Sequence, residues 1–148
     1  MTSKVLNNEE IRTLLEKAKK AMKASYVPYT GLQAGAAVQC TDGKIYTGCT
    51  IENCASECGA CAERVAVQKA VSSGKLQFIA LAIVWKGPQQ PSGPCGSCRQ
   101  VILEFGEIDI YMSGEDLTSI RATSSTDLLP QALTPRDRQN AIHRLHKN

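Results

Sequence analysis

The alternation of strand-like and helix-like segments along this 148-residue chain predicts an α/β layered domain. Three observations carry that expectation. Ile11, Leu14, Leu15, Ala18, Ala21 and Met22 recur every three or four positions, the spacing of an amphipathic helix. Residues 78–85 form a nearly continuous apolar run, the mark of a central strand buried on both faces. Two more helix-like segments, at 60–72 and 96–105, bracket that run, and further strand-like segments lie before and after them.

The elements follow in order. The first helix covers residues 8 to about 24, with Asn7 or Asn8 as its N-cap and acids in its first turn. Strands at 34–40 and 44–50 flank Thr41, Asp42 and Gly43, a hairpin signal. Residues 52–59 are small and polar, and read as a loop. The helix at 60–72 stops at Gly74. After the central strand, 86–94 is a loop rich in proline and glycine. The helix at 96–105 stops at Gly106, a strand follows at 108–112, and another is expected at 117–122. A basic, weakly helical tail occupies about 135–148. Its His143 and His146, three apart, read as a solvated helix face and receive no function. The whole chain, 1–148, reads as one domain without internal repeats.

Composition narrows the function classes. Hydrophobic residues make up 43% and charged residues 21%, which excludes a disordered, collagenous or coiled-coil chain. A net charge of +3 with 5% aromatics offers no basic, ring-lined channel for nucleic acid. No apolar run is long enough to span a bilayer, and the first ten residues lack a secretory h-region, so a cytoplasmic protein is expected. The chain holds 7 cysteines. A reducing compartment disfavours disulfides and an odd number cannot fully pair, so metal binding or catalysis is the better use for some of them.

Three cysteines share a logic. Cys61 opens one inner helix, and Cys95 and Cys98 open the next, within Pro94-Cys95-Gly96-Ser97-Cys98. Helix starts present free N–H groups and a positive dipole end, which favour the thiolates that bind metal. Three protein ligands leave one tetrahedral position for water, the pattern of catalytic zinc. Glu63, two residues past a ligand, can reach that water without binding the metal and act as general base, then acid. This spacing, with Cys in place of His, is the known signature of zinc nucleobase deaminases. Three thiolates on a zinc dication leave a net negative charge. Arg64 and Arg99, adjacent to Glu63 and Cys98, are candidates to donate hydrogen bonds to the thiolates and withdraw it. On the cysteines alone, a structural zinc site with Cys58 as fourth ligand competes equally. Cys40, Cys49 and Cys54 read as ordinary small residues.

From about residue 24 to 135 the sequence resembles the small, homotetrameric cytidine deaminases. The landmarks are Ser25-Tyr26-Val27-Pro28-Tyr29, Gly35-Ala36-Ala37, Thr47-Gly48-Cys49, Ile51-Glu52-Asn53, Cys61-Ala62-Glu63-Arg64, Pro94 through Gln100 and Leu128-Leu129-Pro130. The resemblance implies a three-layer α/β/α sandwich around a five-stranded mixed sheet. It implies one zinc per subunit, held by Cys61, Cys95 and Cys98, and active sites shared between subunits of a homotetramer. It implies a hydrolase of cyclic amidine C–N bonds in pyrimidine salvage, turning cytidine and 2'-deoxycytidine into the uridine forms. In that reaction zinc-activated water attacks C4 and Glu63 shuttles protons. Glu52 is expected on ribose hydroxyls, and the backbone near Ala62 on the cytosine edge.

The chain departs from the family at its substrate contacts. Leu32 stands at a usual phenylalanine, Thr50 at a usual asparagine and Ser56 at a usual tyrosine. Leu133 stands at a late phenylalanine that stacks on a neighbouring subunit's substrate. Losing one aromatic stacker costs about 1 kcal/mol. These changes keep a second substrate class in view, a modified cytosine nucleoside such as blasticidin S, deaminated by the same mechanism.

Overall fold

The computed structural model describes residues 5–87 and 93–145. At its centre is a sheet in the order β2-β1-β3-β4-β5, made of β1 (Ala34–Cys40), β2 (Ile45–Cys49), β3 (Phe78–Trp85), β4 (Asp109–Gly114) and β5 (Ile120–Ser124). β1 runs antiparallel to both β2 and β3, β3 parallel to β4, and β4 antiparallel to β5, so the sheet is mixed. The parallel pair needs a crossover, and α3 (Gly96–Leu103) lies on it. α1 (Asn8–Met22) covers one face, and α2 (Ala62–Ser72) with α3 covers the other.

Side-chain alternation sorts β3 between two cores. Ala80, Ala82 and Val84 face α1, where Leu14, Leu15 and Ala18 are fully buried. Leu81 and Ile83 face α2 and α3. Burying each large aliphatic side chain contributes about 1.5–3 kcal/mol. Asn7 is the cap of α1. Its side chain accepts the Glu10 N–H at 2.9 Å while the Glu10 carboxylate accepts the Asn7 N–H at 2.9 Å, a reciprocal capping box.

Two glycines set the layer spacing. A Cβ on Gly35 would sit 2.0 Å from the Ala18 carbonyl oxygen, so α1 lies directly on β1. A Cβ on Gly48 would sit 2.4 Å from the Ala66 nitrogen and 2.5 Å from the Ala62 oxygen, so the first turn of α2 lies directly on β2. The second contact fixes the height of the helix start that carries Cys61 and Glu63.

Several boundaries differ from the sequence expectation. α1 ends at Met22, two residues early, and α2 begins at Ala62 because Cys61 is its extended N-cap. The polar loop contains a 3-10 turn, Ser56–Cys58. α3 ends at Leu103, and β4 extends to Gly114. The last strand starts at Ile120 rather than 117. Leu117 has φ +57° in a turn where its N–H reaches the Gly114 carbonyl at 3.1 Å, so the chain is still reversing there. Two helices follow, α4 (Ser125–Leu128) and α5 (Pro135–Leu145). His143 lies exposed on α5, while His146 and residues 88–92 of the proline-rich loop lie outside the described residues. No helix among the described residues is long and apolar enough to cross a membrane.

Candidate active site

The starts of α2 and α3 lie side by side, and their cysteines converge. Cys61 N-caps α2, Cys95 N-caps α3, and buried Cys98 sits in the first turn of α3. Neither capping sulfur is used as a cap acceptor, so both remain available to each other. The three Sγ atoms lie within 4.8 Å of one another, with Cys61 and Cys95 3.7 Å apart. Ligands about 2.3 Å from a tetrahedral zinc lie roughly 3.8 Å apart, so this set has the size and softness for that ion. Cys58 is exposed on the 3-10 turn and is not in the cluster. Among the described residues the cluster therefore offers three thiols for a metal rather than the four of a structural centre.

The cluster's electrostatics favour a thiolate. The Cys61 thiol is pulled down to about 5, chiefly by the hydrogen bond from Cys98, with Cys95 and Arg64 assisting and burial opposing. Cys98 keeps its proton in order to donate to Cys61, and its burial raises it further. Arg64 gives one hydrogen bond to the Gly59 carbonyl at 3.1 Å, and its charge and donors also face the Cys61 and Cys98 sulfurs. Its Nε is buried without a partner.

Arg99 departs from the sequence expectation. Its Nε donates to the Pro94 carbonyl at 2.8 Å and its Nη1 to the Leu128 carbonyl at 2.8 Å. The guanidinium thus clamps the turn before Cys95 to the Leu128-Leu129-Pro130 segment, and its donors go to carbonyls rather than thiolates. This partner lies 29 residues away in sequence, beyond the reach of any local pattern.

Glu63 is 4% exposed at the start of α2. Burial pushes its carboxyl up to about 7, against the hydrogen bond from its own backbone N–H. It lines a cavity of about 500 Å³ together with Cys61, Cys95, Leu32, Thr50 and Trp85. A second cavity of about 490 Å³ meets the first at Thr50 and Cys61, and is lined by Thr30, Glu52, Asn53, Ser56 and Arg64. Ala62 is fully buried between Cys61 and Glu63.

The substrate-side residues are arranged less uniformly. Glu52 ties down the loop across from it: its carboxylate accepts the Tyr29 N–H at 2.8 Å, the Thr30 N–H at 3.3 Å and the Thr30 hydroxyl. The Thr30 hydroxyl bond, followed by the two amides, holds the carboxyl below its ordinary value while desolvation opposes. A carboxylate has about four acceptor positions, so these three donors leave room for one more. Leu32 is 73% exposed at the mouth of the first cavity. Leu133 is 60% exposed in a separate groove with Arg138, where its carbonyl accepts from Gln100 at 2.9 Å. Trp85 was missed as a cavity residue, because its apolar run reads as wholly buried strand. The signal lay in its parity with Leu81 and Ile83.

Known proteins share this sequence and fold. The family model for the cytidine and deoxycytidylate deaminase zinc-binding region matches residues 8–113. A cytidine deaminase of Sporosarcina psychrophila is 43% identical over 130 residues, covering 86% of this chain and 94% of the relative. One of Halalkalibacterium halodurans is 38% identical, covering 84% of this chain and 94% of that one. The crystal structure of a cytidine deaminase from Burkholderia pseudomallei superposes with a TM-score of 0.78 at 36% identity, covering 86% of this chain and all 100% of that one.

Proposed function

Because this chain belongs to the family of zinc-binding cytidine and deoxycytidylate deaminases, we propose that it hydrolyses cytidine and 2'-deoxycytidine to uridine and 2'-deoxyuridine with release of ammonia. The observation that carries the reading is the buried Glu63 carboxyl sharing one cavity with the converging thiols Cys61 and Cys95. A carboxyl there has one evident use, the transfer of protons between a water and a substrate.

Cys61, Cys95 and Cys98 would hold the zinc. When bound, it supplies the Lewis acidity that makes a water nucleophilic near neutral pH. Glu63 takes the water's proton and delivers it to N3 of the cytosine ring as the water's oxygen bonds to C4 and the C4=N3 double bond becomes single. It then carries the second proton to the amine, so that the C4–N bond breaks as the C4–O bond becomes a carbonyl. Burial keeps Glu63 away from bulk water, where its contact with the base strengthens in the tetrahedral intermediate more than in the ground state. The backbone at Ala62, between a ligand and the proton carrier, holds the base edge. Arg64 withdraws charge from the thiolates, and Arg99 holds the Pro94 turn so that Cys95 keeps its place.

The sugar extends into the second cavity. Glu52 offers its remaining acceptor position to a ribose hydroxyl, and Thr50 sits where the two cavities meet. We assign the missing wall to other subunits. Tyr29, Leu32 and Ile51 line the cavities and are exposed, apolar surface that another subunit would cover. A homotetramer covers them, and brings Leu133 of one subunit to the site of another. A cytoplasmic role in pyrimidine salvage goes with this reading. The test is ammonia release from cytidine, deoxycytidine, cytosine, cytidine monophosphate and blasticidin S. Turnover of the two nucleosides supports the proposal, and turnover of blasticidin S alone replaces it with the modified-nucleoside reading that exposed Leu32 and Ser56 would suit.

A further inference from the structure

The Leu32, Ser56 and Leu133 departures remove rings from the substrate side, yet the cavity at Glu63 is not without one. Trp85, the chain's single tryptophan, ends β3. By strand alternation it shares the face of Leu81 and Ile83, the face covered by α2 and α3 and carrying the thiol cluster. Its cross-strand neighbours are small on both sides, Ala34 on β1 and Gly114 on β4. The indole is therefore half-buried, packed on the core at one edge and lining the cavity with Cys61, Glu63 and Cys95.

We propose that the Trp85 indole is the face against which the substrate's cytosine ring stacks, in place of rings this chain lacks elsewhere. The inference rests on the cytosine-nucleoside reading above. The two cavities divide the substrate by chemistry. The one containing Glu63 must receive the base, because the proton carrier has to reach N3 and the amine. The one containing Glu52 has the acceptors a sugar needs. Trp85 lines only the first. A planar, electron-poor heterocycle in this cavity meets a lining that holds one large aromatic face, Trp85, beside the aliphatic Leu32. Stacking of this kind holds the ring in one plane while leaving both hydrogen-bonding edges free. It also contributes to binding of substrate and transition state alike, so it acts on KM more than on kcat.

The sole tryptophan makes its own reporter. In the Glu63→Gln variant, whose slowed turnover should leave cytidine bound during a titration, cytidine is expected to quench the intrinsic fluorescence saturably and ribose to leave it unchanged. In steady-state assays Trp85→Ala is expected to raise KM for cytidine roughly tenfold or more, with zinc content retained, and Trp85→Phe to recover most of the loss. If Trp85→Ala does not fold, the Trp85→Phe and Trp85→Leu pair carries the comparison, with Leu the weaker binder. A KM within twofold of wild type in the ring-less variant, or unchanged fluorescence at saturating cytidine, overturns the role of Trp85 while wild-type turnover of cytidine stands. A wild-type protein inert toward cytidine overturns the substrate reading, and the stacking role with it.

Discussion

The two walls of the candidate site are built in opposite ways. The chemical wall, at the starts of α2 and α3, is buried around Glu63 and Cys98, with Cys61 half-buried and Cys95 at the cavity surface, and is fixed by backbone contact. Gly48 lets α2 rest on β2, Arg99 clamps the turn before Cys95, and Ala62, Glu63 and Cys98 have almost no exposed surface. The substrate wall, from Tyr29 to Leu32 and across to Glu52, is exposed and tied mainly by hydrogen bonds to one carboxylate. The difference follows from what each wall does. Metal ligation and proton transfer tolerate little displacement, so their side chains sit on helix starts locked to the sheet. Under the proposed function, recognition of a sugar and a base face is completed by another subunit, and this chain presents only part of that surface.

The largest effect expected from this contrast is on the chemical wall. Cys98→Ser removes the fully buried thiol of the proposed zinc site, and zinc by elemental analysis is expected to fall from one per chain to well below one, with deamination lost. Retention of full zinc would mean the chemical wall does not depend on its third thiol. Next comes Gly48→Ala against Gly43→Ala. The first drives a Cβ into α2 at 2.4 Å, so it should cost about 1–3 kcal/mol of stability and lower kcat by displacing Glu63. The second meets no neighbour and only strains a turn at φ +85°, by about 1 kcal/mol, leaving kcat unchanged. Thermal unfolding and kinetics on both separate a loss of stability from a loss of geometry. Arg64→Gln removes a donor to charged sulfur, about 1.5–3 kcal/mol of interaction, and should weaken zinc retention against a chelator and reduce kcat roughly tenfold. Equal zinc retention and turnover would remove Arg64 from the charge-tuning role. The smallest effect belongs to the exposed wall. Leu32→Ala should change KM by only a few-fold and leave zinc and kcat alone, and a large kcat effect would mean the two walls are not separable.

Much of the chemical wall was legible from the sequence, because it depends on residue types at fixed spacing. The three cysteines and Glu63 fall at helix starts that local pattern locates, and the structure brings those thiols together. The apolar run that marks β3 and the cap at the start of α1, with acids in its first turn, were equally local, while the reciprocal bond to Glu10 needed the structure. What spacing could not decide was Cys58, whose separation from Cys61 looks like half of a structural site. Its exclusion depends on the 3-10 turn that holds it away. Arg99 was misread for a related reason: proximity in sequence to Cys98 suggested a thiolate, while the tertiary fold offered two carbonyls. The late start of β5 depends on Leu117 holding a left-handed conformation that a leucine seldom adopts.

The central claim is that Glu63 carries protons at a site whose zinc is held by the thiols alone. The direct measurement is zinc content and cytidine turnover on the same preparation of Glu63→Gln. The account predicts one zinc per chain and kcat reduced by about 10²–10⁴-fold or more. Turnover near the wild-type rate at full zinc occupancy would contradict it.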